Sequence, residues 1–410
     1  IGFSVNKTIF SKRLFVFGLP LLLIIRFIPS VYAVGHVWHR KKIMILYASI
    51  GGGHYKAADA IKNYINEHYP NQKVEMIDAL KYTNKVVDKI VIASYVNMAR
   101  YSPKFWGDLY SFSEKQYSTV TFSNAVQRLL SIKLFKLFEK EKPDIVISTH
   151  PFITEMVATL KKRNKISVNL NVIITDYASH KFWELKPECV NRYFVANEEM
   201  RYGLINNNIA ENKIFVTGIP VGPAFLKKYD KKEIYNQFGL DENKRTVLIF
   251  GGGEYGLSNV KLFLTGLLAT KENIQIVAIA GKSKKIQNMF KNTTANSNKK
   301  VVILGYTDKV PELMNIADFV ISKPGGLTTT EILVSNVPFI IINPIPGQEE
   351  ENARFLLNNG AAVRLFDAEK TTPFLNRLFV DDKRIECMKE MQRNIAKPNS
   401  TKDIAERILK

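Results

Sequence analysis

From Lys41 to the C-terminus, apolar runs of four to eight residues alternate with longer amphipathic stretches, and the whole pattern occurs twice. This is the signature of βαβ units, in which each buried parallel strand is joined to the next by a covering helix. The first series has apolar runs at 43–49, 73–79, 144–150, 171–176, 192–197 and 213–218. Helical patterns lie between them, including "HYKAADAIKNYINEHY" and an aromatic-rich stretch over 86–138. The segment "GIPVGPAFLKKYD" (218–230) then places two Gly–Pro pairings within six positions and has the composition of a linker. The second series follows at 245–254, 274–281, 300–306, 318–326, 338–344 and 361–366. The expectation is an α/β chain of two doubly wound domains, 41–222 and 223–396. At 410 residues and 46% hydrophobic, the chain is long enough to fill two cores. "STKDIAERILK" (400–410) predicts a terminal helix capped by its Ser/Thr pair.

Charge narrows the partners. With 58 Lys and Arg against 38 Asp and Glu, the formal charge is +20 and favours an anionic partner: nucleic acid, lipid headgroups or nucleotide phosphates. No recognised nucleic-acid-binding motif is present, so that class is set aside. Cys189 and Cys387 stand apart, which fits a reducing compartment, and the six histidines show no metal-binding spacing, so no metal is expected. Residues 1–40 differ from the rest: a basic pair, an apolar run over 14–25, then Arg26 and a second apolar stretch. The uninterrupted run is shorter than the ~20 residues a spanning helix needs. A membrane-associated anchor, a cleaved signal and an extension outside the folded unit all remain open for it.

Three glycine-rich loops follow apolar runs. "SIGGGHYKA" places Gly52, Gly53 and His54 between a strand and a helix expected to begin near Tyr55. Glycine permits left-handed backbone and close approach, and a helix N-terminus offers free N–H groups to an anion. A tight βα turn would select glycine for its own sake, but His54 adds a group able to act as a base near neutral pH. The device recurs in "IFGGGEYG" with Gly252 and Gly253, and a glycine pair recurs in "SKPGGLTTTEIL" with Pro324, Gly325 and Gly326. None of these is a Walker A loop or G-x-G-x-x-G, so ATP hydrolysis and dinucleotide redox chemistry lose ground. Thr328 to Thr330 are expected to cap the helix after the third loop and to place Glu331 in about its first turn, suited to accept two hydrogen bonds from a ribose diol. Gln348, Glu349 and Asn352, after another Pro/Gly turn, could meet sugar hydroxyls or could open a helix.

These segments, with "ISTHPF", "IITDYASHKFWELKPE" and "PFIIINPIPGQEEENA", resemble the monogalactosyldiacylglycerol synthase and processive diacylglycerol glucosyltransferase family, relatives of the enzyme that adds N-acetylglucosamine to lipid I. The resemblance runs from about Lys41 to the end, with six motifs in the family's order. It implies a GT-B fold, two Rossmann-like domains facing across a cleft, with residues 397–410 returning to the first. It further implies a UDP-sugar in the second domain and a lipid acceptor in the first. Gly252, Gly253, Gly325 and Gly326 would approach the diphosphate, Glu331 the ribose, Tyr306 the uracil, and Gln348, Glu349 and Asn352 the donor sugar. Pro324 and Thr328 belong to the same donor loop, while Gly52 and Gly53 form the acceptor-side loop.

The implied reaction moves glucose or galactose from UDP-glucose or UDP-galactose to diacylglycerol with inversion. His54 is the leading base, and Asp176 the second candidate or the group that orients it. For Asp176, capping a helix after a strand is the competing role. Backbone amides would stabilise the leaving diphosphate with no cofactor and no essential metal. Aromatic and basic residues over 95–138 suit contact with anionic lipid at the cytoplasmic face of the membrane. A cell-wall UDP-N-acetylglucosamine transferase and a non-catalytic nucleotide-sugar or nucleic-acid binding protein are the competing readings.

Overall fold

A computed structural model describes residues 41–49, 52–83, 124–252 and 259–410. The N-terminal segment 1–40, most of the aromatic stretch (84–123) and Gly253 lie outside the described residues. All twelve apolar runs form strands in two parallel six-stranded sheets. The first has β1 (Lys42–Tyr47), β2 (Lys73–Asp78), β3 (Ile145–Ser148), β4 (Asn169–Ile173), β5 (Arg192–Val195) and β6 (Ile214–Val216), in the order β2-β1-β3-β4-β5-β6. The second has β7 (Arg245–Phe250), β8 (Ile274–Ile279), β9 (Val301–Leu304), β10 (Phe319–Ser322), β11 (Phe339–Ile342) and β12 (Ala362–Leu365), in the order β12-β11-β10-β7-β8-β9. Burial explains why the runs were readable: β3, β8, β10 and β11 are buried along their whole length, whereas the edge strand β9 is half-buried.

Most strands stop short of the apolar run that encodes them. Thr149 and His150 lie beyond β3, and Ile174 to Asp176 beyond β4, because the chain leaves the ladder at the carboxyl ends to form loops. Each sheet has one place where the chain reverses its direction of travel, between β1 and β3 in the first and between β7 and β10 in the second. Crevices at the carboxyl ends of such neighbours are where open α/β sheets bind ligands. The GGGH loop follows β1 and His150 follows β3; Gly252 follows β7 and the Pro324–Gly326 turn follows β10. Sheet topology therefore collects the motifs at two switch points.

The terminal helix Ser400–Leu409 packs on the first sheet, burying Ile404, Ala405, Ile408 and Leu409 against Ile43, Ile45, Ile61 and Ile65. Lys41 Nζ donates to the Leu409 carbonyl at 3.0 Å. The expected Ser/Thr cap is not formed. Asn399 is the N-cap, without a side-chain bond, and Ser400 Oγ and Thr401 Oγ1 instead donate to the carbonyls of Ile219 and Val221 at 2.8 Å. The hydroxyls satisfy the linker rather than the helix because the two crossings lie side by side. Gly218, at φ +86°, has room for no side chain, since a Cβ there would stand 2.4 Å from Lys397 Cβ.

Candidate active site

Gly52 ends the first loop at φ +68°, a left-handed conformation that strains other residues, and the helix Gly53–His68 begins two residues earlier than expected. His54 is therefore in the first turn. Its Nδ1 lies 2.5 Å from the Thr149 carbonyl and 3.0 Å from Thr175 Oγ1, while Thr149 Oγ1 donates to the His54 carbonyl at 3.0 Å. A carbonyl can only accept, so Nδ1 carries the proton and Nε2 keeps its lone pair. Burial lowers the imidazole's pKa to about 4, with the Thr149 bond working in the opposite direction. At neutral pH His54 is the neutral imidazole, in the tautomer that leaves Nε2 to accept a proton.

Sequence reasoning misses His150, although it ends the apolar run 144–150 and stands in the motif "ISTHPF". It is 4% exposed, its ring meets His54 edge-on with centroids 4.6 Å apart, and its Nδ1 finds no partner among the described residues. Burial, and secondly His54, hold its pKa well below the ordinary histidine value. The signal was positional: a polar residue just past a strand neighbouring β1, legible only once strand order was known.

Asp176 follows β4 and does not cap a helix. Its Oδ1 accepts from Asn352 Nδ2 at 3.1 Å. Burial raises its pKa to about 6, opposed by the Asn352 bond and assisted by the charge of Glu349. The orienting role considered for Asp176 is taken in this structure by Thr149 and Thr175, which hold the His54 ring.

The second-lobe residues meet these groups directly. The helix Gly326–Ser335 starts at Gly326 with Gly325 as N-cap and no side-chain cap, so Thr328 to Thr330 lie inside it rather than at its cap. Thr330 Oγ1 donates to the Gly326 carbonyl at 2.9 Å and pairs with Tyr177 OH at 3.0 Å, leaving half-exposed Thr328 as the more accessible of the three. A Cβ on Gly326 would stand 1.9 Å from the Thr175 carbonyl oxygen, so this glycine lets the lobes touch. Gly325 has open space beside it, where the helix's unpaired N–H groups are available to an anion. Across from it, a Cβ on Gly53 would reach only ordinary contact, 3.4 Å from Leu327.

Asn352 is fully buried. Its Oδ1 accepts from Tyr177 N at 2.7 Å, and its Nδ2 donates to Asp176 and to the Pro324 carbonyl at 3.0 Å, so in this state its amide bolts the lobes together and offers nothing to a sugar. Glu331 is 4% exposed and lies one and a half turns into its helix, later than expected; Oε1 is 3.0 Å from Lys56 Nζ of the first lobe. Gln348 opens the helix Gln348–Asn358, and Glu349 accepts from Ile345 N at 2.8 Å and pairs with Lys323 at 3.5 Å. Gly252, at φ +91°, lies two residues beyond the end of β7. Tyr306 stands apart from the Asn352 cluster beyond the edge strand β9, 73% exposed, with Lys282 Nζ 5.4 Å from its ring. Among the described residues no group of three His, Cys, Asp or Glu could hold a metal.

Comparison with known proteins agrees with this fold. The family model for monogalactosyldiacylglycerol (MGDG) synthase matches residues 54–221, and that for the glycosyltransferase family 28 C-terminal domain matches 246–408. The processive diacylglycerol beta-glucosyltransferase of Bacillus pumilus is 31% identical over 373 residues, 90% of this chain and 94% of that protein. Among solved structures, Acinetobacter baumannii MurG aligns with TM-score 0.61 and 15% identity, over 90% of this chain and 99% of that one. Neisseria meningitidis UDP-GlcNAc 2-epimerase, solved with UDP-GlcNAc bound, aligns with TM-score 0.59 and 14% identity over the same shares. The fold is GT-B, and the chain belongs to the diacylglycerol glycosyltransferase family that contains MGDG synthase and the processive diacylglycerol beta-glucosyltransferases.

Proposed function

We propose that the protein transfers a hexose, glucose or galactose, from a UDP-sugar to the free hydroxyl of 1,2-diacylglycerol with inversion at the anomeric carbon. The observation that carries this reading is the pairing of His54, its Nε2 unprotonated, with the uncapped N-terminus of the helix Gly326–Ser335 across the lobe contact. In the transfer His54 Nε2 takes the hydroxyl proton as the oxygen bonds to the anomeric carbon, and the bond from that carbon to the diphosphate breaks. The helix amides beside Gly325 receive the charge that develops on the departing diphosphate, so no divalent ion is required. A base of pKa about 4 has little driving force, but an anionic diphosphate in the same cleft raises an imidazole's pKa, so donor binding strengthens the base.

The acceptor resides in a bilayer, and a formal charge of +20 favours peripheral attachment to anionic lipid on the cytoplasmic face. No described helix is long and apolar enough to cross a membrane. The test is incubation with diacylglycerol in anionic vesicles and UDP-glucose or UDP-galactose in turn, with the glycolipid identified by mass and anomeric linkage. A β-linked hexosyldiacylglycerol, formed equally well with chelator present, is expected. Near-native turnover by His54→Ala would remove His54 as the base, and an α-linked product would exclude single inverting displacement.

A further inference from the structure

Lys56 lies in the first turn of the helix Gly53–His68, two residues beyond His54, with its N–H bonded to the Gly52 carbonyl at 3.1 Å. Its ammonium is 3.0 Å from Glu331 Oε1 in the opposite lobe. The two partners are unequal: the lysine residue is exposed and the glutamate almost wholly buried. A carboxylate this far from water is costly unless its charge is compensated, and here the compensation comes from across the cleft. A carboxylate offers about four lone-pair directions over two oxygens, and one ammonium engages only part of that capacity. What remains is acceptor-only, complementary to a pair of vicinal hydroxyls.

We propose that Lys56 is a positioning residue for the donor: it holds the Glu331 carboxylate in the orientation that accepts the ribose hydroxyls, so the ribose pocket is completed only when the acceptor lobe is in place. This rests on the reading of the second lobe as the nucleotide-sugar lobe. Its consequence is that donor affinity and lobe closure are coupled through one ion pair, carried on the helix that also presents His54. Lys56 touches none of the reacting atoms, so its loss should raise KM for the donor and leave kcat at saturating donor near that of the wild type.

The deciding experiment is calorimetric titration of the full chain, wild type and Lys56→Met, with UDP and with 2′,3′-dideoxy-UDP. Loss of one charge-assisted contact is expected to weaken UDP binding roughly tenfold, to weaken 2′,3′-dideoxy-UDP by less than about twofold, and to be partly restored in Lys56→Arg. Equal weakening of both nucleotides would place the ammonium on the diphosphate and overturn the proposal, as would unchanged affinity for both. Failure of the wild type to bind UDP would overturn the donor reading itself. Lys56→Met leaves the buried Glu331 carboxylate uncompensated and should melt somewhat below the wild type, so the titrations are run well below both midpoints; Lys56→Gln, titrated in parallel, serves as a second isolation of the charge.

Discussion

Replacing Gly326 with Ala should damage activity far more than any surface change of similar size. The new Cβ would stand 1.9 Å from the Thr175 carbonyl oxygen, 2.9 Å from that carbonyl carbon and 3.2 Å from Asp176 Cα. All three are backbone atoms, so no rotamer change relieves the clash. Ordinary contact near ~3.5 Å requires the lobes to part by about 1.5 Å. That displacement acts on the bonds that cross nearby: Tyr177 N to Asn352 at 2.7 Å, Tyr177 OH to Thr330 at 3.0 Å, Asn352 to Asp176 at 3.1 Å and Lys56 to Glu331 at 3.0 Å. At roughly 0.5–1.5 kcal/mol net for each, the loss is about 2–6 kcal/mol of lobe–lobe stabilisation. A 1 Å displacement of reacting groups can cost about a hundredfold in rate, so kcat/KM for glycolipid formation should fall by about two orders of magnitude. The assay is steady-state turnover beside denaturant unfolding, with Gly325→Ala as the paired control. Gly325 has nothing within 4 Å and a φ of −64°, so alanine there should unfold like the wild type while raising the donor KM if the diphosphate approaches that face. Gly326→Ala with turnover within about threefold of wild type and an unchanged unfolding midpoint would refute the argument that this glycine exists for the lobe contact.

Two further outcomes concern stability. Because the Asp176 pKa is raised from 3.8 to about 6, its contribution to stability is fully present below 3.8 and lost as pH rises through 6. Asp176→Asn should therefore gain stability relative to wild type as pH goes from 4 to 8, by up to about 3 kcal/mol and by less in so far as solvent reaches the carboxyl, read from denaturant midpoints at several pH values. A pH-independent difference would show that ionised Asp176 carries no such cost. Ile408→Ala, in the terminal helix, should cost about 2–5 kcal/mol and increase hydrogen exchange in β1 and β3, whose Ile43, Ile45 and Ile145 share its cluster. Unchanged exchange in those strands would mean that the helix is not part of the first lobe's core.

What sequence shows well is whatever a local pattern must encode. Twelve strands read as twelve apolar runs because the central parallel strands bury both faces, and Gly52 was readable because its left-handed backbone leaves little choice of residue. His54 could be named because a histidine after a glycine loop is a local arrangement. Strand ends were overextended, as in the run 144–150, because apolarity continues past the last ladder bond into the site loops.

The partners of these residues were decided by the tertiary structure. Thr149 and Thr175, which set the His54 tautomer, lie on loops after β3 and β4 and come to it through strand order. Thr330 and the Ser400–Thr401 pair fit capping patterns, yet closer acceptors, including carbonyls of the linker, took their hydroxyls. Asn352 carries a family motif, but its fully buried amide joins the two lobes. Sequence alone determined the two parallel sheets, the glycine loops and the histidine. Which groups face one another across the lobes depended on the sheets' switch points and on a glycine small enough to let the two backbones meet, because contacts between residues far apart in the chain leave no periodic trace in it.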